Sequence, residues 1–157
     1  MNHTDLLAYK KSFDLAMRVF EVSKIFPKEE KYSLTDQIRR SSRSVTVTIT
    51  ESYRKRTYSK NFFSKLTDAE AENSETQVWL DFALGCEYLE QNKYNELSSL
   101  NTEIGKLIYY MMNIQINLVQ VKYKLPTNNS KLPLKMNIQQ LYEFCLSKKG
   151  VTEHFSF

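Results

Sequence analysis

The residues with the clearest chemical potential are basic. Arg39, Arg40 and Arg43 fall in one short stretch, and Arg54, Lys55, Arg56 and Lys60 follow with Tyr53 and Tyr58 interleaved. Guanidinium forks match phosphate oxygens, and tyrosine rings offer bases a stacking surface. Arg43, Arg54, Lys55, Arg56 and Lys60 are therefore the candidate nucleic-acid contacts. For the 54–60 group a solvated turn is the competing use, and for Arg39 and Arg40 it is ion pairing to an acidic helix downstream.

No reactive centre assembles elsewhere. His3 and His154 stand near opposite ends, neither with a cysteine or carboxylate at ligand spacing. Asp68, Glu70, Glu72 and Glu75 cluster, but the Glu-x-x-His pairs of di-iron bundles are missing. Gly85, Gly105 and Gly150 are isolated and cannot form a phosphate-cradling loop. Cys86 and Cys145 are too far apart for a Cys-x-x-Cys pair and, lying in apolar stretches, are expected to be buried and reduced. No catalytic residue, metal or cofactor is expected, and the chain reads as a non-enzyme.

The elements that position the basic residues follow from composition and period. A chain of 157 residues with three glycines and three prolines lacks turn residues for a many-stranded sandwich or barrel, which leaves long helices. The first helix is expected over 4–25, capped by Thr4, with Leu6, Tyr9, Phe13, Ala16 and Phe20 on one side and Phe26-Pro27 ending it. The second carries Leu34, Ile38, Ser42, Val45 and Ile49. Its segment VTVTIT alternates like a strand, but a lone strand without a partner is untenable, so helix is expected throughout. The third is expected over 58–90 and the fourth over 93–124. These make a bundle domain over 1–125. Pro126 opens a linker, and a short amphipathic tail helix capped by Asn137 completes the second region, 126–157.

Charge and apolar surface both point beyond a solitary molecule. Residues 1–66 hold 14 Lys and Arg against 7 Asp and Glu, residues 67–103 hold 1 against 9, and residues 104–157 hold 7 against 2, so a basic, an acidic and a basic segment succeed one another. Opposite potentials of this kind fix register between packed surfaces. The third helix has a second apolar stripe, and Leu107 to Val121 is apolar around most of its circumference. Trp79, Phe82, Leu89, Met112 and Ile116 are the candidate oligomer contacts. At 15 residues that apolar run is short of the ~20 that cross a bilayer. The N-terminus has no secretory signal pattern, so a cytoplasmic location is expected.

Phe26 to Tyr53, FPKEEKYSLTDQIRRSSRSVTVTITESY, resembles the four-helix-bundle proteins encoded in rRNA intervening sequences, whose pattern here is FPxxExxxLxxQxRRAxxSxxxNIAEG. Phe26, Pro27, Glu30, Leu34, Gln37, Arg39, Arg40, Ser44, Ile49 and Glu51 match, and FALGCEYL is similar to the family's xxAxGSxxEL. Ser33 stands where the family usually has glycine, and Thr48, Thr50 and Ser52 replace the asparagine, alanine and glycine of NIAEG. The resemblance covers roughly residues 5 to 122. It implies an all-α, antiparallel up-down-up-down four-helix bundle assembled as a ring-shaped homopentamer. One branch, the accessory variability proteins of diversity-generating retroelements, is similar in size and basic charge, which implies binding of RNA or DNA and of a reverse transcriptase. Gln37, Arg39, Arg40, Glu51, Glu70 and Glu75 are candidate polar links within or between subunits. The competing reading is a structural or protein-interaction module that binds no nucleic acid.

Overall fold

The computed structural model describes residues 2–124, with side chains through Asn113. The expected tail helix, Cys145 and the side chain of Ile116 lie outside the described residues. Within them the chain is helical: α1 (Leu7–Val22), α2 (Leu34–Arg54), α3 (Ser59–Gly85) and α4 (Gln91–Lys124), with short 3-10 turns at His3–Asp5, Ser23–Ile25 and Lys28–Tyr32. Among the described residues there is no strand.

The chain start differs from the Thr4 cap expected. Asn2 accepts from the His3 N–H at 2.8 Å while its own N–H donates to the Asp5 carboxylate at 2.7 Å, so a capping box closes the 3-10 turn. Helix α1 then begins after extended Leu6. At its far end Phe26 takes an extended conformation before Pro27, because the proline ring excludes the helical region for the residue preceding it.

Helix α2 runs unbroken through VTVTIT. Leu34, Ile38, Val45 and Ile49 turn inward at helical spacing and are fully or almost fully buried. Between them sit small hydroxyls that bond across to both neighbours. Thr46 Oγ1 donates to Ser12 Oγ of α1 at 3.1 Å, and Thr76 Oγ1 of α3 donates to Ser41 Oγ at 3.0 Å. Those pairs satisfy polar atoms that burial would otherwise penalise. Between α3 and α4, Asn73 Nδ2 donates to the Asn101 carbonyl at 3.2 Å and Asn101 Nδ2 to the Asn73 carbonyl at 3.0 Å, both side chains being buried. Gly105 permits that approach, since a Cβ there would stand 3.2 Å from Asn73 Nδ2.

The carboxylate of Glu30 holds the α2 entrance. It accepts from the Ser33 hydroxyl, from the Leu34 N–H at 3.3 Å and from the Tyr88 hydroxyl at 3.3 Å. The Ser33 bond first, then the Leu34 N–H, hold its pKa below the usual carboxylate range. A group with a depressed folded pKa stabilises the fold above its unfolded pKa and loses that contribution as pH falls through the folded value. Melting temperatures of wild type and Glu30→Gln should therefore differ most near pH 7 and converge as pH falls below about 4. A constant gap over that range would sink this assignment.

Helix α3 stops at Gly85 rather than continuing to residue 90. Tyr88 N–H donates to the Ala83 carbonyl at 2.8 Å and Glu87 N–H to the Leu84 carbonyl at 2.9 Å, the paired bonds of a Schellman ending. Its left-handed position, usually glycine, is Glu87 with φ 61°. Glu87→Gly relieves that strain, and a urea titration should show a gain of about 0.5–1 kcal/mol. The ending also corrects the expectation for Cys86. It lies past the helix as a free, exposed thiol, not a buried one.

Candidate nucleic-acid interface

The turn from α2 to α3 gathers most of the predicted basic contacts. Lys55 closes α2, its N–H donating to the Glu51 carbonyl at 3.1 Å, and Tyr58 N–H folds back to the Lys55 carbonyl at 2.9 Å. This tight turn brings Arg54, Lys55, Arg56 and Lys60 to one end of the helix pair, all four exposed. Tyr58 beside them is 68% exposed. Tyr53 is buried, so of the two interleaved tyrosines only Tyr58 offers a stacking face. Among the described residues none of the four cations has a carboxylate partner.

Arg56 is partly committed. Its Nη1 donates to the Tyr53 carbonyl at 2.8 Å and its guanidinium stands 4.2 Å from the Tyr53 ring centre. That contact satisfies a carbonyl at the C-terminal end of α2, where cations also meet the negative end of the helix dipole. The same dipole argument runs the other way for α3. Its first turn lacks an acidic residue and a side-chain cap, and carries Lys60 instead. Unmatched N–H groups and a lysine at a helix start make a local field suited to an oxyanion.

Arg43 does not join this group. It lies 11 residues before Arg54 on α2, about 16 Å along the axis at 1.5 Å per residue. Its guanidinium is 5.6 Å from the Phe20 ring centre, beside Arg39 at 5.1 Å and Lys24 Nζ at 4.7 Å.

Within the chain neither Arg39 nor Arg40 forms an ion pair with α3 among the described residues. Arg39 turns toward the 3-10 turn that follows α1, where its Nε donates to Ser23 Oγ at 2.6 Å, and Arg40 is exposed without an ion pair among the described residues. The reason is helical phase. The α2 residues facing α3 are small, such as Ser41, and the arginines fall outside that arc. Of the other predicted links, Glu51 does bridge helices, to Lys65 Nζ at 2.9 Å, a cation the sequence reading missed. Glu75 accepts from Trp79 Nε1 at 3.0 Å, Glu70 is exposed, and Gln37 is half-buried. Among the apolar contacts, Phe82 is exposed and Trp79 half-buried, but Leu89 and Met112 are buried within this chain and present no free surface. Period alone cannot separate a second apolar stripe from a core face when the helix end is misplaced. Among the described residues no group of His, Cys, Asp or Glu could hold a metal, and no helix is long and apolar enough to cross a membrane.

The family model for 23S rRNA-intervening sequence proteins matches residues 4–110. The chain belongs to this family. A crystal structure of a protein with unknown function from the S23 ribosomal protein family of Bacteroides thetaiotaomicron VPI-5482 is similar at 28% identity, covering 72% of this chain and 99% of that one, with a TM-score of 0.63. No curated protein matches. The family match thus spans both helices that build the basic turn.

Proposed function

We propose that this intervening-sequence protein is a non-enzymatic scaffold whose basic α2–α3 turn binds the phosphates of RNA or DNA. The observation that carries the reading is the exposed group Arg54, Lys55 and Lys60, without carboxylate partners among the described residues, at the uncapped start of α3. In this proposal the helices stand in antiparallel up-down-up-down order. Contacts of Ser12 with Thr46 and Ser23 with Arg39, of Ser41 with Thr76 and Glu51 with Lys65, and of Asn73 with Asn101 and Gln77 with Ser98 support it, since numbers rise on one helix as they fall on the next. The proposal extends to a homopentameric ring in the cytoplasm, with a reverse transcriptase or another nucleic-acid-handling protein as partner. Family resemblance supports the ring, and a free exposed thiol suits a reducing compartment.

Filter binding of a single-stranded RNA across a salt series tests it. Four phosphate contacts on a single strand give a slope near −3 in log affinity against log salt, so affinity should fall about 50-fold between 50 and 200 mM. No binding at 50 mM would overturn the proposal in favour of a protein-interaction module, a reading that the half-exposed Val78 and Phe82 favour.

A further inference from the structure

We infer that the groove between α1 and α2 is the seat for the outer edge of α3 from a second copy of this chain. The inference rests on the oligomeric part of the proposed function and names the two surfaces that would meet.

The groove encloses about 480 Å³ and its lining includes Tyr9, Phe13 and Met17 from α1 and Arg43 and Val47 from α2. Phe13, Met17 and Val47 are 45–56% exposed, so its apolar floor is open to water in the single chain. Its polar edge is basic. Arg40 and Arg43 are exposed on the same α2 stripe as Val47 and have no ion pair among the described residues, while Glu51 at one end is occupied by Lys65. A floor of this kind with a cationic rim fits an amphipathic helix whose apolar ridge is flanked by carboxylates.

This chain carries such a helix on its own surface. At 100° per residue, Ala71, Glu75, Val78 and Phe82 fall within a narrow arc of α3 opposite Phe62, Leu66 and Leu80, which form its core side. Val78 and Phe82 are about half exposed, Ala71 and Ser74 are small enough for close approach, and Glu75 within the arc and Glu70 to one side of it are exposed without a cation partner among the described residues. Apolar ridge meets apolar floor, and two carboxylates meet two guanidiniums. The two surfaces are different patches of one molecule, so the contact is head-to-tail and repeats from copy to copy.

Charge exchange tests it by light scattering on the full chain, with circular dichroism to verify helical content. Arg40→Glu with Arg43→Glu should reduce the assembly to monomer, and so should Glu70→Arg with Glu75→Arg. The chain carrying all four changes should recover the wild-type mass, because the charges are then swapped rather than lost. A photoreactive benzoylphenylalanine replacing Val47 should crosslink to α3 peptides of another copy. A wild-type assembly whose mass neither pair alters, a fourfold variant that stays monomeric, or an adduct within residues 125–157 or on a different protein would each overturn the inference while leaving oligomerisation standing. A wild type that is monomeric at all concentrations would overturn both.

Discussion

Phe62→Ala should lower the free energy of unfolding by about 3–5 kcal/mol, the range for removing a fully buried aromatic ring from a packed core. Phe62 is 1% exposed in the first turn of α3, and its N–H donates to the Tyr58 carbonyl at 2.9 Å. The loss is a large share of the ~5–15 kcal/mol that holds a typical domain together. Neighbouring Phe63 serves as the control. It is 37% exposed, so Phe63→Ala leaves little cavity and should cost less than about 1.5 kcal/mol. Urea midpoints for both variants check this, and equal costs would mean the α3 core face has been assigned to the wrong side.

The second large effect is on binding. Changing Arg54, Lys55 and Arg56 together to alanine should weaken RNA binding by about 10²-fold at 0.1 M salt, since each phosphate contact on a single strand carries about 0.7 decades between 1 M and 0.1 M. The magnitude of the salt slope should fall by about 2, with circular dichroism and solution mass unchanged. Arg56→Ala alone should lose least, because its guanidinium is already engaged by the Tyr53 carbonyl and ring. Some stability is also surrendered, as cations at a helix C-terminus contribute roughly 0.3–1 kcal/mol each, too little to unfold the bundle. A fall in assembly mass with binding intact would transfer this turn from ligand recognition to subunit contact.

Helix existence was legible in the sequence because burial leaves a period that local chemistry cannot hide. VTVTIT is the instructive segment: read alone it alternates like a strand, yet Val45 and Ile49 are inward at a helical spacing of four. What stayed hidden depends on phase and on partners far along the chain. Ser12 and Thr46, or Asn73 and Asn101, carry no mark in sequence that they will meet, although the polar middle of α3 hinted at something other than packing. Arg39 bonds Ser23 rather than an α3 carboxylate of its own chain, which net segment charge does not reveal, because it says nothing about which arc of a helix a residue occupies. The α3 boundary was misplaced because the turn that ends it uses glutamate where glycine is the usual signal. The basic turn was readable, since adjacent residues share a neighbourhood whatever the fold.

Helix α2 has one further consequence. More than half its residues are Ser, Thr, Val or Ile, types that concede up to ~0.7 kcal/mol each to alanine in a helix, and helices in proteins draw most of their stability from packing of one face rather than from propensity. Its coil is imposed by the hydroxyl bridges and apolar contacts that α1 and α3 supply. Secondary structure here is borrowed from tertiary structure, so α2 has no autonomous existence in a half-formed molecule. Coiling and docking become a single all-or-none event, and the central helix is the last part of the bundle that could be peeled away intact.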